Sequence, residues 1–170
     1  MDFTKISYAP PKEGKPGTVR LEWTVTRIAP GGELVTDERT LRSTDAPHPD
    51  FTDALQALAP AVCAACFVTE EEREDAQDEL APGRPNLVVR SVTLKAVEDA
   101  FGELSDAATI TALRELDWAD APLVLNTPFA PVSLLPHPGL DRLLDALRRH
   151  AKGYAEGRRA QAGLFDDAQA

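Results

Sequence analysis

Val19-Arg20-Leu21-Glu22-Trp23-Thr24-Val25 alternates apolar and polar residues without a break. Successive side chains of a strand point to opposite faces. Val19, Leu21, Trp23 and Val25 therefore line one side and Arg20, Glu22 and Thr24 the other, the pattern of a half-buried strand. Pro30-Gly31-Gly32 follows as a turn, and Glu33 to Thr44 runs back in a β-rich composition, so the two segments predict a hairpin. Phe3 to Tyr8 supplies a strand ahead of it.

Beyond the hairpin, Phe51, Ala54, Leu55 and Leu58 recur at helical spacing after a polar start, and Pro60 must kink or restart that helix. Thr69 to Leu80 carries seven acids, with Thr69 and Glu72 spaced as a capping box, and Ala81-Pro82-Gly83-Arg84-Pro85 breaks the chain. The same order then returns. Strands are expected at Leu87 to Val97, Ala107 to Leu116 and Leu123 to Phe129, and a helix from Pro138. His48–Leu58 and His137–Leu147 match at five of eleven positions at an offset of 89, and at that offset Leu34-Val35 falls on Leu123-Val124. The expected fold class is α+β, an antiparallel sheet with helices on one face, built from a duplicated βββα unit. Residues 1–68 form the first unit, 69–85 an acidic Pro/Gly linker, 86–157 the second unit and 158–170 a tail. Proline near a helix start and Leu/Ala on its apolar face are common, so convergence explains the match as readily as duplication does.

The chain has 170 residues, 43% of them apolar and 27% charged, enough for a core without disulfides. The opening MDFTKISYAPPKEG has neither a basic nor an apolar leader region, and no apolar stretch reaches membrane-span length, so a cytoplasmic protein is expected. The net charge of −10 is uneven. Asp141 to Ala160 holds six arginines and lysines against three acids. Without it and the tail residues Asp166 and Asp167, residues 1–140 carry −11. Such a field repels nucleic-acid phosphates, so direct DNA binding by the body is disfavoured.

No catalytic constellation is legible, and neither a cofactor nor a metal is expected. Cys63-Ala64-Ala65-Cys66 is a lone CxxC late in an apolar helical run, with no second pair for zinc and no helix N-terminus to activate a thiol. His48 with Asp45 and Asp50 reads as a turn and helix start. Glu98, Asp99, Glu103 and Asp106 show no spacing with His or Lys that suggests a nuclease. Leu140, Leu143, Leu144, Leu147, Ala151 and Tyr154 form one helical stripe that reads as core packing. Arg148, Arg149, Lys152, Arg158 and Arg159 then make a basic ridge, either a solvated face or one useful beside DNA or an acidic partner.

Gln161-Ala162-Gly163-Leu164-Phe165 resembles the Gln-x-x-Leu-Phe peptide by which bacterial polymerases and repair proteins bind the replicative sliding clamp. The resemblance covers five residues. It implies that Gln161 makes polar contacts in a small pocket and that Leu164 and Phe165 fill an apolar one. Ala162 and Gly163 stand where that family often has Leu and Ser or Asp. Burying the two apolar side chains contributes about 1.5–3 kcal/mol each before ordering costs, which suits moderate docking; folding back onto the protein's own core is the alternative. The end Gly157 to Phe165 also resembles the ends of uncharacterised phage proteins. The resemblance implies a non-enzymatic, phage-type accessory protein of DNA replication, recombination or repair, docked on the bacterial sliding clamp. The alternatives are an acidic protein that imitates nucleic acid and, less favoured, a single-strand-annealing-like DNA binder.

Overall fold

The computed structural model describes residues 1–67, 87–98, 102, 104–116 and 120–160. The acidic linker expected at 69–85 and the tail from Gln161 lie outside the described residues. Within them the fold is α+β. The strands are β1 (Asp2–Ala9), β2 (Thr18–Ile28), β3 (Leu34–Ser43), β4 (Leu87–Glu98), β5 (Leu104–Arg114), β6 (Leu123–Asn126) and the short β7 (Ala130–Pro131). The helices are α1 (Pro49–Gln56), α2 (Ala59–Cys66) and α3 (Leu140–Ala155), with a 3₁₀ turn at Val132–Leu134.

The strands make one antiparallel sheet in the order β3-β2-β1-β4-β5-β6, with β7 also paired to β5. Read outward from the centre, each half is a meander in chain order, followed in sequence by helix. Leu34 opens β3 and Leu123 opens β6, the two positions aligned in the sequence at an offset of 89. The helix starts differ. His48 directly caps α1, its ring nitrogen accepting from the Asp50 amide, whereas α3 begins three residues after His137, behind Gly139 in a left-handed conformation. Pro60 does restart the first helix. It sits in the opening turn of α2, where a missing N–H costs nothing.

Alternation decides which face is buried. Val19 and Leu21 of β2 are sealed beneath the helices together with Phe3 and Ile6 of β1, Val89, Val92 and Leu94 of β4, and Ala108, Ile110 and Ala112 of β5. Phe51 and Leu55 of α1, Leu58 just ahead of α2 and Val62 within it, with Leu140, Leu144, Leu147, Ala151 and Tyr154 from α3, close the same core. The third strand of the second meander stops at Asn126, short of Phe129. There Thr127 takes over the ladder from a buried position: its amide donates to the Ile110 carbonyl at 3.0 Å, and its hydroxyl accepts from the Ile110 amide at 2.9 Å.

The two meanders join through only three residue pairs, Lys5↔Thr93, Ile6↔Val92 and Ser7↔Ser91. Past Ser7, β1 stays with β2 while β4 turns away. At that point β4 carries a bulge: Val89 faces Ala112, Ser91 faces Thr111, and Arg90 is the extra residue. Gln56 of α1 takes the place of the departed strand. Its side-chain amide donates to the Val89 carbonyl and accepts from the Val89 amide, both at 3.1 Å. Replacing Gln56 with Leu leaves both backbone groups without partners and should destabilise the protein by about 1–3 kcal/mol for each group that water cannot reach. Urea unfolding checks this, and an unchanged midpoint would show that the junction does not depend on Gln56.

Candidate functional site

Arginines of the C-terminal helix region meet carboxylates that arrive from distant parts of the chain. Arg148 reaches Asp106 at 2.6 Å and Asp145 at 3.2 Å, and Arg158 reaches Asp50 at 2.7 Å. Arg159 reaches Asp45 at 3.1 Å and lies 3.7 Å above the Tyr154 ring while donating to the Tyr154 carbonyl. The Tyr154 hydroxyl donates to the Asp45 carbonyl at 2.8 Å, and the Ala160 amide donates to the Ala46 carbonyl at 3.1 Å. The ridge is thus a knot of ion pairs: Arg158 and Arg159 tie the chain after α3 to the first turn of α1 and the loop before it, and Arg148 ties α3 to β5. Lys152 has only Glu156 at 3.9 Å, and Arg149 is exposed with no ion pair among the described residues. Gln161 is the next residue after the knot; Gln161, Leu164 and Phe165 themselves lie outside the described residues.

Cys63 is buried on α2 and Cys66 half-buried, its thiol directed at the Asn126 carbonyl at 3.6 Å, and burial pushes the Cys66 thiol pKa up, away from reactivity. Asp106 is occupied by Arg148, and Asp99 and Glu103 lie outside the described residues. Among the described residues no group of three or more His, Cys, Asp and Glu side chains is placed to hold a metal, and no helix is long and apolar enough to cross a membrane.

A second site lies on the opposite face of the sheet, which carries no helix among the described residues. The parting of β1 and β4 opens a groove of about 670 Å³, walled on one side by the β1–β2 loop. Six cationic side chains line it: Lys5, Lys12, Lys15, Arg20, Arg42 and Arg90. The register explains the gathering. Arg42 of β3 stands directly opposite Arg20 of β2, and Arg20 opposite Ser7 of β1, so two guanidinium groups share one rung. Directly opposed like charges destabilise a sheet. Arg20 is also held by Glu22 at 2.6 Å, an exposed pair of small energetic weight, whereas Arg42 has no ion pair among the described residues. The bulge residue Arg90 has its Nε and Nη1 shielded from solvent with no hydrogen-bond partner. Burial pulls its pKa below the ordinary arginine value, against the opposing influence of Glu115 and Tyr8.

The net charge conceals this groove. Its lining residues stand far apart in sequence among acids such as Asp37 and Glu38, and only the strand order brings them together. No protein-family model, curated protein or solved structure matches the chain.

The knot yields a pH test. Hydrogen bonds that the carboxylate accepts from Arg159 and then from the Ser43 hydroxyl hold the Asp45 carboxyl below its ordinary value of 3.8. A carboxylate with a lowered folded pKa stabilises the protein above its unfolded value, and that contribution is lost as pH falls through the folded one. Asp45→Asn should therefore melt below wild type at neutral pH, and the gap should close in acid below the ordinary aspartate range. A gap that persists undiminished in acid would mean that the charge of Asp45 is not what ties the knot.

Proposed function

We propose that this protein is a non-enzymatic accessory factor of bacterial or phage DNA replication, recombination or repair that acts in the cytoplasm and docks on the sliding clamp through Gln161, Leu164 and Phe165. The carrying observation is the peptide Gln161-Ala162-Gly163-Leu164-Phe165, which begins one residue after the knot at Arg159 and Ala160. The ion pairs of Arg158 with Asp50 and of Arg159 with Asp45 hold the residues just ahead of this peptide at the protein surface beside α1. The buried stripe of α3, from Leu140 to Tyr154, supports this reading by making the helix a rigid strut, so that partner contact falls to the residues after it. Lys5, Arg20 and Arg42 on the open sheet face favour it over a protein whose acidic sheet imitates nucleic acid.

Calorimetry with purified bacterial sliding clamp tests the proposal. The wild-type chain and a peptide spanning Arg158 to Ala170 should both bind. Leu164→Ala with Phe165→Ala should abolish binding without moving the melting temperature, and Gln161→Ala should weaken it. If neither chain nor peptide binds, the proposal fails. A double variant whose stability falls by several kcal/mol would instead place the two side chains in the protein's own core, since losing a buried Leu or Phe costs about 2–5 kcal/mol each.

A further inference from the structure

We infer that the cationic groove on the open face of the sheet binds the backbone of a single-stranded nucleic acid, a site independent of the C-terminal peptide. Among the described residues, Glu22 is the one acid that makes an ion pair with the groove cations. Arg20 and Arg42 are held on one rung, Lys5 projects from the adjacent strand, and Arg90 is desolvated with two guanidinium nitrogens unpartnered. An anionic ligand in the groove would offset the opposed charges of Arg20 and Arg42 and draw on Lys5 beside them.

The register gives the shape of the ligand. The rung begun by Arg42 and Arg20 continues through Ser7, Ser91, Thr111 and Asn126, one residue from each of six successive strands. At about 4.8 Å per strand this row runs for about 24 Å. A row of that length, cationic at one end and hydroxyl- and amide-bearing along the rest, suits a repeating phosphate chain better than a single phosphate. Guanidinium groups hold phosphate oxygens through paired hydrogen bonds; the Ser7 hydroxyl already donates to the Arg20 carbonyl at 3.2 Å and that of Thr111 to the Asn126 side-chain oxygen at 2.7 Å, so these hydroxyls offer a ligand their lone pairs as acceptors for base-edge donors. An acidic peptide would also use the cations, and competition by polyglutamate tells the two ligands apart. Among the described residues the face displays no row of aromatic side chains for base stacking, so phosphate contacts should dominate and binding should depend steeply on salt.

The test is fluorescence anisotropy of the full chain with a labelled oligothymidylate at several salt concentrations. The chain should bind at low salt. Arg20→Gln and Arg42→Gln should each weaken binding about tenfold and make the salt slope shallower by about 0.7. Arg149→Gln, on the helix face, should change neither. Melting curves confirm that each variant is folded. Leu164→Ala with Phe165→Ala should bind the oligonucleotide as wild type does, so that failure of clamp docking and failure of this site are read separately. The inference is overturned if the wild-type chain does not bind, or if the Arg20 and Arg42 variants bind as wild type. It is equally overturned if inorganic phosphate competes as well as the oligonucleotide at equal phosphate concentration, or if polyglutamate does so at equal charge.

Discussion

The join between β1 and β4 sets the rest of the molecule. Three residue pairs link two meanders that are otherwise complete within themselves, and a single core beneath the sheet must make up for so short a seam. Ile6 and Val92, facing each other across it, are both fully buried. Where the seam ends, the backbone of buried Val89 must still find partners, because an unpaired buried amide costs as much as a lost hydrogen bond. Gln56 supplies them from the helix layer, and the bulge at Arg90 absorbs the change of direction. One geometric fact, the divergence of two strands, thus fixes a helix side chain on one face and opens a groove on the other.

The same divergence organises charge. A chain of net charge −10 would be expected to distribute its cations as partners for its acids, and on the helix side it does so: Arg148, Arg158 and Arg159 each hold an aspartate. On the open face the arrangement is different. Cations from β1, β2, β3, β4 and the β1–β2 loop converge where the sheet splits, with Glu22 the one acid paired to them in an ion bridge among the described residues. The global field resists polyanions while the groove attracts them, and over distances shorter than a Debye length, about 8 Å at physiological ionic strength, the nearby charges dominate.

Local patterning made the fold class legible. Val19 to Val25 alternates because one face is buried, and Pro60 forces a helix restart wherever the tertiary structure lies. The boundary of the last strand was not legible, because Thr127 continues the ladder with its side chain as well as its backbone. The basic ridge was visible as composition, yet its neutralisation was not: the partners Asp106, Asp50 and Asp45 lie 42, 108 and 114 residues from Arg148, Arg158 and Arg159. The groove was hidden for the same reason. Lys5, Arg20, Arg42 and Arg90 become neighbours only through the order β3-β2-β1-β4, which no periodicity encodes. The Gln161-to-Phe165 resemblance rests on five contiguous residues and is read without any fold, and the docking it implies is a proposal.

The central claim is that local repulsion among the groove cations outweighs the acidic surroundings, and the melting temperature of Arg42→Gln at low ionic strength tests it most directly. By net charge alone, removing a cation from a chain at −10 should destabilise the protein. If Arg20 and Arg42 repel each other across their shared rung, the variant should instead melt above wild type at low salt. The gain should fade as the Debye length shrinks from about 30 Å at 0.01 M to about 8 Å at 0.15 M. A variant that melts below wild type at low salt, or a difference that ignores salt, would contradict the claim.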